Sequence, residues 1–210
     1  MRPTLTILLI VVNVVAYIWQ RTTNGGPDVD HGYLSPQSVL QYGQWWRIVT
    51  SAFLHWNEAH IALNMLALYS VGREVEMVFG KVRFALLYAL AILGSGLSIV
   101  YFSVYNVPTL GASGAVFGLF GALVAVGLRL GARGRSLIMS LLPVLAINLV
   151  FTFSIPGIAV AAHVGGLITG FLAGLILFTG SRRRRFTQAY SYVAAPVAAS
   201  PVETIEHPRE

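Results

Sequence analysis

The chain has 210 residues, of which 56% are hydrophobic and 10% charged, and its mean hydropathy is +0.71. A soluble domain of this length carries about 25% charged residues, so a surface this apolar needs lipid as its solvent, and the expected fold is an all-α bundle of membrane-spanning helices. The net charge of +6 does not point to nucleic acid, because the thirteen arginines and one lysine cluster at the ends of apolar runs and no basic patch is interleaved with exposed aromatics.

A membrane helix needs about 20 predominantly apolar residues. Taken in chain order, apolar runs at 4–20, 58–79, 82–103, 112–128, 136–153 and 158–178 predict six transmembrane helices. The first run follows Arg2 as a signal peptide would, but Tyr17-Ile18-Trp19-Gln20 is a poor small-residue cleavage site and Trp19 suits an interfacial anchor, so a retained helix is expected. The loop at 21–57 holds Trp45, Trp46 and Trp56 within twelve residues, with Phe53 and Leu54 between them. Indole rings favour the lipid interface, and this loop is expected to lie partly in it.

Placing the N-terminus in the cytoplasm puts eleven positive residues on the inner side: Arg2, Arg73, Lys81, Arg83, Arg129, Arg133, Arg135 and Arg182 to Arg185. The outer loops then hold only Arg21 and Arg47. The bias supports both termini inside. Residues 1–180 form one six-helix domain in this reading, and 181–210 a basic and then disordered cytoplasmic tail, rich in Ala, Pro and Ser. Six spans without a transit peptide or an added seventh helix point to a bacterial plasma membrane.

Polar side chains inside such helices cost free energy unless they are paired or functional. His60 and Asn64 lie on the second span, Ser113 opens the fourth, and His163 lies on the sixth. At a rise of about 1.5 Å per residue, the run from Ser113 to Leu128 covers roughly 24 Å of a hydrocarbon core of roughly 30 Å, so Ser113 starts below the outer boundary. His163 lies roughly 7 Å and Asn64 roughly 9 Å below the same side. Three separate spans therefore bring polar groups to one layer. A helix that begins at that depth directs unpaired N–H groups inward, which implies a small, outward-opening, water-containing cavity.

In Gly111-Ala112-Ser113-Gly114 a hydroxyl sits among small residues, where a peptide backbone can come close. Serine is a weak nucleophile and needs a base; His163 is the candidate. Gly166, Gly170 and Gly174 form two small-xxx-small steps that let the sixth span pack closely, with the fourth span as the expected neighbour. Asn64, His60 and the Ser113 backbone N–H are candidate donors to an oxyanion. The acids lie in the first loop, at the two ends of the second span or in the tail, so a Ser-His dyad is predicted and a triad is not. Gly-x-Ser-Gly alone is more often packing material than a catalytic motif, and a lone intramembrane histidine more often a structural hydrogen-bonder. Their convergence carries the reading.

These motifs together resemble the rhomboid family of intramembrane serine proteases over about residues 45–175. Trp46-Arg47 followed by His60-x-x-x-Asn64 is similar to the family's Trp-Arg stretch and His-x-x-x-Asn motif. Gly111-Ala112-Ser113-Gly114 matches its Gly-x-Ser-Gly, and Ala162-His163-Val164-Gly165-Gly166 its Ala-His-x-x-Gly. The resemblance implies Ser113 as nucleophile, His163 as base, His60 and Asn64 at the oxyanion, and Gly111, Gly114 and Gly166 in support. It further implies single-pass membrane proteins as substrates, cut near the outer end of their transmembrane helix. Phe117 departs from members that carry tyrosine there; it keeps a ring to stack on the imidazole and loses the hydroxyl. Gly72, Glu76 and Gly80 resemble a structural glycine/glutamate motif of the family.

No cofactor or metal is expected. Cysteine is absent, and His55 and His60 are five apart with no glutamate directly after the first, so the zinc protease motif His-Glu-x-x-His is missing. Both aspartates lie in one loop, against an intramembrane aspartyl protease, and no half-to-half repeat suggests a transporter. The alternative reading is a rhomboid-like scaffold or chaperone that holds membrane clients in the same cavity without cutting them.

Overall fold

In the computed structural model, residues 3–22, 32–103, 106–154 and 160–179 are described. The chain is a helical bundle. Its elements are α1 (Thr4–Thr22), α2 (Pro36–Leu40), α3 (Arg47–Thr50), α4 (Glu58–Ala67), α5 (Arg73–Phe79), α6 (Lys81–Phe102), α7 (Ser113–Leu130), α8 (Arg135–Ser154) and α9 (Val160–Leu177). Short 3-10 turns at Ser51–Phe53 and Gly131–Gly134 lead into Leu54 and α8.

Among the described residues, Thr4–Thr22, Lys81–Phe102, Val160–Leu177 and the run Ser113–Val150, which holds α7 and most of α8, are long and apolar enough to cross a bilayer. The second expected span, 58–79, differs. It is continuous from α4 to α5 but contains a π-helical segment, Leu68–Gly72, and carries Glu58, Arg73, Glu74 and Glu76. A π turn takes an extra residue, so it rotates α5 relative to α4. α7 also runs past the expected end at 128: Arg129 sits in its last turn, where a cation complements the exposed carbonyls, and Gly131, at φ 61°, stops it. The expected start of the sixth span at 158 and the expected tail at 181–210 lie outside the described residues.

α7 is the central helix. Phe117, Leu119, Phe120, Ala122, Leu123 and Val126 are all buried, and α6, α8 and α9 pack around it. The α7–α9 contact is made backbone to backbone. A Cβ on Gly166 would meet the carbonyl oxygen of Gly114, and one on Gly170 that of Gly118. A Cβ on Gly121 would in turn meet the carbonyl of Leu167. Two glycine stripes therefore face each other, only one of which was read from the sequence as a packing surface. Helices without side chains at their contact approach closely and gain dispersion energy that lipid cannot supply.

Two polar ties organise the rest. The Glu76 carboxylate, 1% exposed, accepts from Leu5 N (3.0 Å), Thr6 N (2.8 Å) and Thr6 Oγ1 (2.8 Å), satisfying N–H groups at the start of α1. Gly72 leaves room for this approach, since a Cβ there would lie 3.1 Å from Thr6 Cγ2. At the opposite end of α1, the Gln20 amide donates to His55 O (2.8 Å) and accepts from His55 N (3.1 Å).

The described part of the first loop is ordered by a small apolar cluster of Leu34, Val39 and Ile48 against Ile99, Val100 and Ala162. Arg47 donates to Tyr33 O (3.0 Å) and stacks over Tyr33 and Trp46. Leu34 and Thr109 exchange backbone hydrogen bonds (2.9 and 2.8 Å), tying the loop to the segment before α7. Trp45, Trp46 and Trp56 are left exposed.

Candidate active site

Gly111 ends the approach to α7 at φ 126°, a conformation that disfavours any side chain, and its N–H donates to Ser51 O (2.9 Å). A Cβ at that position would also lie 2.8 Å from His60 Cε1 and 2.9 Å from its Nε2. Gly111 therefore serves both the turn and the close passage of the His60 ring. Ala112 follows as N-cap with no side-chain cap, and Ser113 is the first residue of α7. The leading N–H groups of the helix have no intrahelical acceptor and open on the space above them.

That space is a cavity of about 470 Å³. Its walls include His60, Asn64, Ser113, Phe117 and His163. The structure thus brings His60, Asn64, Ser113 and His163 to one place. His163, on α9, is 8% exposed, and its Nε2 lies 2.7 Å from Ser113 Oγ, 50 positions away in the chain. The Phe117 ring stacks on the imidazole at 4.3 Å between centroids and 14° between planes. Gly114 and Gly166 make the pairing possible, because their backbones touch one residue from Ser113 and three residues from His163.

On α4, Asn64 is buried and uses one amide hydrogen on His60 O (2.9 Å), leaving the other for the cavity. His60 Nδ1 accepts from Trp56 N (3.3 Å). A neutral imidazole that accepts at Nδ1 carries its proton on Nε2, and this nitrogen faces Gly111. His60 is therefore a donor on the cavity side.

Two residues escaped the sequence reading of the site. Thr152, on α8, is 2% exposed, and its hydroxyl lies 2.8 Å from His163 Nδ1. The signal available was a threonine one turn after Asn148 in an apolar span, where polar groups are costly. His55 is fully buried against His60, with ring centroids 5.2 Å apart in an edge-to-face contact. Neither ring nitrogen of His55 has a hydrogen-bond partner among the described residues. Burial, and secondarily the His60 ring, push its pKa below the ordinary histidine value, so it packs as a neutral ring.

A hydroxyl 2.7 Å from an unshared imidazole nitrogen, beside unpaired helix N–H groups and an amide donor, is a geometry suited to acyl transfer. The family model for the rhomboid domain matches residues 42–180. The chain is 36% identical over 180 residues to rhomboid protease GluP of Bacillus subtilis (strain 168), covering 84% of this chain and 35% of that protein. It is 34% identical over 148 residues to the putative rhomboid protease YdcA of the same organism, covering 68% of this chain and 72% of that one. With rhomboid protease AarA of Providencia stuartii it shares 26% identity over 201 residues, covering 81% and 71%. The chain spans little more than a third of the length of GluP and of RHOMBOID-like protein 4 of Arabidopsis thaliana. The span of the matched domain and the identity to these relatives establish that the chain belongs to the rhomboid family.

Proposed function

We propose that the chain is an intramembrane serine endopeptidase that works through a Ser113–His163 dyad and cleaves single-pass membrane proteins near the outer end of their transmembrane helix. The observation that carries this is the 2.7 Å contact between Ser113 Oγ and His163 Nε2 at the wall of a cavity. Family membership and the printed names of the bacterial relatives support the same activity.

The chemistry follows from the groups present. A substrate segment must unwind before it can be cut, because a helical backbone keeps its carbonyls in hydrogen bonds. Ser113 Oγ attacks the exposed carbonyl carbon while its proton passes to His163 Nε2. The oxyanion that forms is met by N–H groups at the start of α7, the free amide hydrogen of Asn64 and Nε2–H of His60. His163 then gives the proton to the departing amine, and water takes the place of the amine to hydrolyse the acyl-enzyme. Phe117 holds the imidazole plane throughout by stacking.

In this reading the six apolar runs all cross a bacterial plasma membrane, with both termini cytoplasmic, and the first loop lies partly in the interface with its three tryptophans outward. A fluorophosphonate probe tests the enzyme against the scaffold. Labelling of the wild type that disappears in Ser113→Ala, together with Ser113-dependent cleavage of a co-expressed single-pass protein, is expected. A wild type that binds clients but never takes the probe would replace the protease reading with the scaffold.

A further inference from the structure

We infer that Thr152 is a positioning residue for His163: its hydroxyl fixes the imidazole in the tautomer that can accept the Ser113 proton. This rests on the protease reading above and deepens it. Thr152 Oγ1 has two partners, His163 Nδ1 at 2.8 Å and the backbone carbonyl of Asn148 at 2.7 Å. A hydroxyl has one proton, and a carbonyl can only accept. The proton therefore goes to Asn148 O, and Oγ1 accepts from Nδ1–H of His163. A neutral ring with its proton on Nδ1 has an open lone pair on Nε2, and that nitrogen is the one 2.7 Å from Ser113 Oγ.

The result is a one-way chain of hydrogen bonds, Ser113 to His163 to Thr152 to Asn148, each donor pointing the same direction. Bonds aligned in this way reinforce each other in a low-dielectric site. The arrangement supplies what an aspartate supplies in a triad, the orientation of the base, without a charge to be buried at membrane depth. When Nε2 takes the serine proton the ring becomes a cation, and the Nδ1–H···Oγ1 bond strengthens. Thr152 therefore favours the transition state as well as the resting tautomer. A side chain on α8 thus completes a base carried by α9 and a nucleophile carried by α7.

Thr152→Val keeps the shape and removes the acceptor. With Nδ1–H left unpaired, the ring shifts toward the Nε2–H form, which donates to Ser113 instead of accepting from it. The experiment compares wild type, Thr152→Val and Thr152→Ser as full chains in detergent micelles. The expected result is a fall in kcat of about tenfold in Thr152→Val, the rate equivalent of one net hydrogen bond, with KM unchanged and recovery to within about threefold in Thr152→Ser. The ring ¹⁵N resonances of His163, assigned by difference against His163→Asn, should show Nδ1 protonated in wild type and Thr152→Ser and a tautomer mixture in Thr152→Val. Unchanged resonances in Thr152→Val, wild-type kcat in that variant, or no recovery with serine would each overturn the inference. The resonances need no substrate, so they judge the tautomer separately from the protease reading, which the Ser113→Ala comparison judges.

Discussion

Ser113 and His163 act as a unit in the proposed mechanism, and their removal should not be additive. Ser113→Ala is expected to lower cleavage of a single-pass substrate by on the order of 10³–10⁶-fold, and His163→Ala by nearly as much, with the double variant no worse than either. The loss should come without a change in membrane insertion, and in Ser113→Ala without a large shift in thermal midpoint, whereas His163→Ala also gives up the stacking on Phe117 and the contact with Thr152. Asn64→Ala should reduce kcat by about 10²–10³-fold with little effect on KM, the signature of a donor that matters only when the oxyanion forms. Steady-state cleavage assays separate the two parameters. At this scale the sequence was informative about polar residues, because each stands out against hydrocarbon. Its signal for Thr152 was weak, because the hydroxyl can satisfy itself on the preceding turn of its own helix and needs no explanation until the imidazole is seen beside it.

The elements hold the site by contacts that leave no room for side chains. Gly166→Val would drive carbons into the Gly114 carbonyl, one residue from the nucleophile. It is expected to destabilise the bundle by about 1–3 kcal/mol and to remove probe labelling of Ser113 even where the protein remains folded, as near-backbone contacts cannot give way by a rotamer change. Thermal unfolding alongside fluorophosphonate labelling measures both effects. Glu76 works at the other end of the molecule. Glu76→Ala takes away an acceptor shared by three donors at the start of α1. The expected cost is about 2–4 kcal/mol of stability, with labelling of Ser113 retained at low temperature, because Glu76 does not line the cavity and its bonds run to the start of α1. The spacing of Gly166, Gly170 and Gly174 was legible as a packing surface, and the partner was named. The matching stripe of Gly114, Gly118 and Gly121 was not, since an irregular glycine spacing becomes a stripe only when another helix is laid along it.

At the scale of the whole molecule, the proposed topology, argued from the charge bias and the apolar runs, has residue 42 outside and residue 132 inside. The absence of cysteine gives a clean background for the test. Tyr42→Cys, at an exposed site, should react with an impermeant maleimide on intact cells, and Ala132→Cys, also exposed, only after permeabilisation. The opposite pattern would invert the topology. The requirement for an unwound substrate predicts that glycine or proline placed near the cut site of a substrate helix raises its turnover. A substrate series with no such dependence would argue that the carbonyl is reached some other way.

The sequence by itself determined the solvent and the helical class, and it picked out most of the polar residues proposed for the site. Hydrophobicity, charge bias and the cost of burying a polar group are properties of single residues and short runs, and they survive without coordinates. Tertiary structure alone decided the π-helical segment at Leu68–Gly72, the continuation of α7 to Leu130, and which side chains meet. The last is the decisive case. Ser113, Thr152 and His163 come from three helices, and their distances depend on how closely backbones pack and how each helix is rotated, quantities set jointly by all the neighbours of a helix.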